Sequence, residues 1–163
     1  MDIIFRNNVG KFKFRIAGLI LHKDQILLTR DNDGPYYYLP GGKLRLNETS
    51  IETMVREMQE EIQETVTVER LLWVVENFFQ EQRNHAFYHE FSLYYLLSIP
   101  ETSKILAKPI TTFYEANQVK IEMKWVPLSE LRSMPVFPEF LKERVFSLPQ
   151  TPEHLIIRSK MTQ

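Results

Sequence analysis

Acidic side chains crowd one segment of this chain, residues 48–64, in which Arg56 is the only base. Four of the acids recur at intervals that place them within about 100° of one face of an α-helix: Glu57, Glu60, Glu61 and Glu64. Like charges three or four positions apart destabilise a helix by about 0.2–0.5 kcal/mol per pair. Converging carboxylate oxygens are, however, the ligands that Mg²⁺ and Mn²⁺ prefer. The spacing therefore predicts a divalent-cation site, and a merely solvated acidic face is the alternative.

The residues around these acids predict how they are held. Thr49 and Glu52 have the spacing of a capping box, so we expect the helix to begin there. Apolar residues then recur along what we expect to be its buried face: Ile51, Val55, Met58 and Ile62. Gly41 and Gly42 precede the helix, and they predict either a plain tight turn or a close approach of the backbone to a ligand.

Gly42, Glu48 and the run 56–61 have the spacing of the Nudix box, and the chain resembles the hydrolases of that family. Members of the family cleave nucleoside diphosphates linked to another moiety. Residues 39–44 are similar to the strand and loop that lead into the box. One position departs from the pattern: Gln63 stands where the family has a glycine, so we expect a longer helix or a different cap there. Because every acid of the box is present, the resemblance implies an active enzyme.

The implied reaction is hydrolysis of a pyrophosphate linkage by metal-activated water. Cations must neutralise the phosphate oxygens before water can attack, and we assign Glu57, Glu60 and Glu61 as ligands of Mg²⁺, with Mn²⁺ as a substitute. Glu48 is expected to orient water or add an outer-sphere contact. Arg56 is expected to fix a carboxylate or the loop through a bidentate pair. Family members carry the general base on the box helix or on a later loop, which leaves three acids open: Glu57, Glu115 and Glu122.

Candidates for substrate recognition are spread over several segments. They are Gly41 and Gly42 for close backbone approach, Arg30 and Arg83 for phosphate contact, Tyr38 for base stacking, and His89 for a phosphate contact or a proton relay. Each has a structural alternative, namely a turn, a surface charge, a core aromatic ring or an exposed strand histidine. The partner implied by the resemblance is a small nucleotide or nucleoside diphosphate derivative.

Strand-like and helical patterns alternate along the chain. Strands are predicted at residues 11–22, 25–29, 66–79, 85–99, 119–126 and 155–157. The third and fourth should pair antiparallel, and the last should lie at a sheet edge. A surface loop is predicted at 100–117, a helical turn at Ser129 and a second helix at 138–148. The resemblance implies an α+β fold, a Nudix-type α/β/α sandwich with a mixed central β-sheet, over about residues 11–148.

The chain has 163 residues, 44% of them apolar and 25% charged, and a net charge of −1. This length supports one core, so we expect a single domain over 1–163, with 1–10 and 150–163 as peripheral extensions. The absence of cysteine excludes thiol chemistry and disulfides, and it suits the cytoplasm. No apolar run is long enough to cross a membrane, and no basic stripe predicts binding to polymeric nucleic acid. A homodimer is expected from the family resemblance alone.

Two other functions stay open on the sequence. One is a catalytically silent Nudix-like module that binds a nucleotide ligand; we would expect such a module to lack some box acids or to carry a DNA-binding domain. The other is an acidic interaction protein or Ca²⁺-binding protein. No segment, however, has the alternating oxygen ligands of an EF-hand loop. The pattern therefore favours the hydrolase.

Overall fold

Nine β-strands and three α-helices make up the described part of the chain, which is residues 1–81, 85–114 and 118–159 of the computed structural model. The strands are β1 (Ile4–Arg6), β2 (Lys11–His22), β3 (Gln25–Asp31), β4 (Gly41–Lys43), β5 (Thr67–Gln80), β6 (Phe87–Ser98), β7 (Ile110–Tyr114), β8 (Lys120–Pro127) and β9 (Glu153–Arg158). The helices are α1 (Ser50–Ile62), α2 (Leu128–Leu131) and α3 (Leu141–Arg144), with a 3-10 turn at Lys104–Ala107. None of these helices is long and apolar enough to cross a membrane.

The strands form one mixed sheet in the order β7-β8-β3-β2-β6-β5-β9, with β1 and β4 added beside β2. Strand β2 pairs parallel with β6, and β5 pairs parallel with β9, whereas the other pairs are antiparallel. The predicted mixed sheet, the antiparallel pair of β5 and β6 and the final edge strand are therefore confirmed.

Both faces of the sheet are covered by helices, as the α/β/α prediction requires. Along β2, Ile16 and Ile20 pack with α1 on one face, while Ala17 and Leu19 pack with α2 and α3 on the other. Because β2 is buried on both faces, its sequence is a continuous apolar run there instead of an alternation.

Three local predictions were wrong in part. The predicted loop at 100–117 contains the 3-10 turn and β7, which extends the sheet through β8. The predicted helix at 138–148 is only the single turn α3, because the Phe146 and Ser147 amides after it bond three residues back, as in a 3-10 helix. Helix α1 is neither longer nor differently capped than the family pattern: Gln63 itself adopts the left-handed conformation, with φ 56°.

The buried face of α1 also differs from the prediction. Ile51 is 51% exposed and Val55 36% exposed, so neither belongs to the core. The buried stripe is instead Thr53, Met54, Met58 and Ile62. This stripe runs directly beside Glu57 and Glu61 on the helix surface. The carboxylates therefore emerge at the border of the core and not from the side of the helix opposite to it.

A cleft that could hold a functional site lies along one edge of β2. Strand β4 pairs with β2 at Arg15–Ala17, whereas β3 pairs with it at Leu21 and His22. The opposite edge of β2 is occupied by β6, so β3 and β4 share one edge and separate from each other along it. The separation leaves a cleft between α1 with β4 on one side and the ends of β3, β7 and β8 on the other.

Candidate active site

A cleft of about 800 Å³ brings together most of the residues that the sequence singles out. The predicted residues that line it are Gly41, Gly42, Tyr38, Glu57, Glu60 and Glu61. The acids come from two adjoining turns of α1, whose start is fixed by the predicted capping box: Thr49 Oγ1 accepts from the Glu52 amide, and Glu52 accepts from the Thr49 amide. The capping box therefore fixes the residue at which α1 begins, and with it the turns whose acids face the cleft.

Gly41 and Gly42 are both required by contacts, although in different ways. Gly41 has φ 140°, and a Cβ at that position would collide with the backbone carbonyl of Ile16. A Cβ at Gly42 would instead occupy the place of the Glu57 carboxylate. The diglycine therefore lets β4 pair with β2 and lets the Glu57 side chain lie directly on the strand.

Arg56 ties the loop before α1 to the helix. Its Nε and Nη2 donate to the two carboxylate oxygens of Glu48 at 2.7 and 3.0 Å, which is the bidentate pair expected from the sequence. Glu48 also accepts from Thr53 Oγ1 at 2.8 Å and from the Arg45 amide at 3.3 Å. The hydrogen bonds from Arg56 lower the pKa of Glu48 to about 2, against an ordinary value of 4.5. Glu48 therefore lies outside the cleft lining, and Arg56 links it to the glutamates of the cleft.

The third guanidinium nitrogen of Arg56 contacts the acids of the cleft. Nη1 donates to Glu57 at 2.6 Å and to Glu60 at 3.2 Å, and Arg45 lies 3.6 Å from Glu60. The crowded glutamates are thus partly neutralised by arginines, which the like-charge argument from the sequence did not include. Glu64 lies away from them and accepts from the Lys104 amide.

The acids of the cleft differ in exposure. The Glu57 side chain is 14% exposed, and its burial raises the pKa of its carboxyl above the usual range, although the hydrogen bond from Arg56 opposes this. Glu60 is 51% exposed, and Glu61 is half-buried. Within the described residues, no three acidic or histidine side chains are close enough to form a ready-made metal cage. Binding one ion between these glutamates requires their side chains to draw together.

Arg15 is a lining residue that the sequence analysis missed. It lies on β2, its Nη2 donates to the Leu39 carbonyl at 3.0 Å, and its guanidinium lies 5.2 Å from the centre of the Tyr38 ring. The Tyr38 ring therefore lines the cleft and packs against the Arg15 guanidinium. A signal was present in the sequence, because Lys11, Lys13 and Arg15 alternate along β2 up to the point where the same face becomes apolar.

Three further predicted residues, Arg30, Glu122 and His89, are not brought to the cleft. Arg30 donates to both carboxylate oxygens of Glu122, at 3.1 and 3.3 Å, and Glu122 also accepts from the Tyr37 hydroxyl. Neither Arg30 nor Glu122 lines the cleft. His89 lines a different pocket of about 680 Å³, where its ring stacks on Phe78 at 4.3 Å. The candidates Arg83 and Glu115 lie outside the described residues.

Solved structures of other proteins share this fold. An ADP-ribose pyrophosphatase from Streptococcus suis is 18% identical, with a TM-score of 0.57, and the alignment covers 88% of this chain and 98% of that one. A UDP-X diphosphatase is 19% identical, with a TM-score of 0.57 and coverage of 88% and 66%. The MutT protein of Bacillus halodurans is 17% identical, with a TM-score of 0.56 and coverage of 87% and 89%.

Sequence comparison gives a consistent assignment. A search of curated proteins found no match. The family model described as NUDIX domain, however, matches residues 12–146, which is most of the chain. The matched span includes the strand that carries Arg15, the diglycine and the whole of α1. Together with the shared fold, this match shows that the chain belongs to the Nudix family of hydrolases.

Proposed function

We propose that the protein is a Mg²⁺-dependent hydrolase that cleaves the pyrophosphate linkage of a nucleoside diphosphate derivative or a nucleoside triphosphate. The observation that carries this proposal is the placement of Glu57, Glu60 and Glu61 around one cleft, beside a diglycine that leaves room for the Glu57 carboxylate. Membership of the Nudix family supports the reaction class.

The residues of the cleft fit a divalent cation by their chemistry. Glu57, Glu60 and Glu61 supply hard oxygen donors from two adjoining helical turns, and these residues would hold the ion. A bound cation would neutralise the phosphate oxygens and lower the pKa of the attacking water. Glu48 and Arg56 position the Glu57 carboxylate from the loop side. Among the described candidates for the general base, Glu57 lines the cleft and Glu122 does not.

The first test is a screen for phosphate and pyrophosphate release with Mg²⁺ and with Mn²⁺. It includes nucleoside triphosphates, nucleotide sugars, dinucleotides and coenzyme A. ADP-ribose and UDP-linked sugars belong in the screen because two proteins of the same fold are named for such substrates. We expect metal-dependent turnover of at least one class. A protein that turns over none of them with either metal would contradict the proposal.

Glu57→Gln and Glu61→Gln test the ligand assignment. Each change removes one carboxylate oxygen charge from the cleft, and we expect at least a 100-fold loss of kcat in a metal-dependent assay. Both variants should stay folded, because Arg56 remains anchored to Glu48. Glu52→Gln is the matched control, since it lies on the same helix outside the cleft and glutamine also serves in a capping box. Wild-type turnover in both cleft variants would overturn the assignment.

A further inference from the structure

Arg15 occupies a position that neither the Nudix box nor the metal assignment explains. It lies in the middle of β2, opposite Lys43 of β4 and Ser92 of β6, and it lines the cleft across from α1. Among the described arginines, Arg15 and Arg45 line this cleft, whereas Arg56 contacts its glutamates from outside the lining. Arg45 is 42% exposed and lies near Asp2 and Glu60, so it already faces carboxylates.

The hydrogen bonds of Arg15 are few for a partly buried guanidinium. An arginine has five N–H donors, yet with the described residues Arg15 makes one hydrogen bond, from Nη2 to the Leu39 carbonyl. Arg56, in contrast, donates to three carboxylates and to the Lys43 carbonyl. Arg15 lines the cleft, so its remaining donors are available to a ligand there.

The charges around Arg15 are arranged so that no carboxylate of the described residues forms an ion pair with it. The nearest buried acid on the same face is Glu90, but Glu90 is held by Lys13 at 2.6 Å and by the Ser92 hydroxyl at 2.9 Å. Burial opposes the charge of Arg15, while Glu90, Tyr38 and Glu61 raise its pKa. Arg15 therefore stays positively charged, and no carboxylate of the described residues forms an ion pair with it.

We propose that Arg15 binds the substrate diphosphate directly, by donating two parallel N–H bonds to non-bridging phosphate oxygens on the side of the cleft opposite the glutamates. A planar guanidinium matches a phosphate in this bidentate way, whereas the glutamates repel it unless a cation lies between. Tyr38 and the Leu39 carbonyl fix the plane of the guanidinium. The inference rests on the proposed function and adds to it the residue that holds the diphosphate.

The test uses imidodiphosphate, an analogue of pyrophosphate with a P–N–P bridge, titrated into the full chain at saturating Mg²⁺ and followed by calorimetry. Arg15→Gln should weaken imidodiphosphate binding by about 10- to 100-fold, as expected for lost hydrogen bonds to a charged group. The same variant should bind Mn²⁺ as the wild type does and should raise KM more than it lowers kcat. Arg15→Lys, which keeps the charge but not the fork, should give an intermediate affinity.

Arg45→Gln is the matched control, because it removes a second arginine from the same cleft that is already near carboxylates. We expect it to change imidodiphosphate affinity by less than about threefold. If Arg15→Gln keeps its melting temperature and wild-type imidodiphosphate affinity, the inference is wrong. If Arg15→Gln does not fold, wild-type affinity in Arg15→Lys overturns it. A wild-type protein that neither binds imidodiphosphate nor hydrolyses any substrate would remove the proposed function itself, which is a different outcome.

Discussion

At the scale of single residues, the Glu48–Arg56 pair is the best-defined electrostatic feature of the site. The sequence predicted that Arg56 makes a bidentate pair with a carboxylate or the loop, but it did not name Glu48 as the partner. It did not predict Arg15, since a cation in an alternating strand is usually a solvent-facing residue. Which strand face is covered depends on distant segments, and local pattern alone does not carry that information.

Acid titration should expose the contribution of Glu48. Its pKa is lowered to about 2, so the pair stabilises the fold fully above pH 4.5 and loses this stabilisation as the pH falls towards 2. The full effect on the free energy of unfolding is at most about 3 kcal/mol before solvent screening reduces it, and about two fifths of it falls between pH 5.5 and 3.5. Urea unfolding of metal-free protein at these two pH values should therefore show a larger loss for the wild type than for Glu48→Gln. Equal losses would contradict the ion pair.

Alanine at Gly41 and alanine at Gly42 should disturb different properties of the protein. Gly42→Ala places a Cβ against the Glu57 carboxylate, which is the movable end of a side chain, so the fold should persist while Mn²⁺ affinity falls by about 10- to 100-fold. Gly41→Ala meets the Ile16 backbone at a positive φ, so it should lower the melting temperature strongly. Calorimetry and thermal melts separate the two effects. Lys43→Ala, on the exposed next position, should do neither.

At the scale of elements, the sequence predicted the start of α1 and its capping box, but not its end and only part of its buried face. The start follows from a local signal, namely the cap at Thr49. Which residues of α1 face the core depends on what the helix packs against. Met54 replaces Val55 in the core because Gly18, which has no Cβ, leaves room for its long, flexible side chain beside Leu97. That room is created by the sheet and is not visible in the helix sequence.

Gln63 ends α1 in a conformation that favours glycine. Because its Cβ is strained at φ 56°, Gln63→Gly should increase the free energy of unfolding by about 0.5–1 kcal/mol, which corresponds to about 2–4 °C in Tm at the upper value. Gln63→Ala is the control, since it shortens the side chain but keeps the Cβ. A gain in both variants would assign the effect to the side chain and not to the backbone. No gain in either would show that the left-handed cap is not strained.

At the scale of the molecule, the long-range pairings were the least predictable part. The hairpin of β5 and β6 follows from two adjacent strand patterns, whereas the parallel pairs β2–β6 and β5–β9 join segments that lie far apart in the chain. Local periodicity does not choose between such partners. The cleft depends on these choices, because β6 occupies one edge of β2 and leaves β3 and β4 to share the other.

Cation binding should stabilise the whole molecule. An ion that binds only the folded state adds about 2.7 kcal/mol at a concentration 100 times its Kd, or about 5–10 °C in Tm for a chain of this size. The melting temperature should therefore rise with increasing Mg²⁺ for the wild type and for Glu52→Gln. It should not change with Mg²⁺ for Glu57→Gln. A flat wild-type curve up to millimolar Mg²⁺ would remove the assigned ligands.

The contact of Arg56 Nη1 with Glu57 and Glu60 gives the apoprotein its own counter-ion. A divalent ion bound as proposed would exchange with a guanidinium that is already in place, so it would not enter a site without counter-ions. Such an exchange moderates the net affinity, because one favourable pairing is given up as another forms. The metal-free chain is accordingly expected to keep its folded shape when divalent ions are removed.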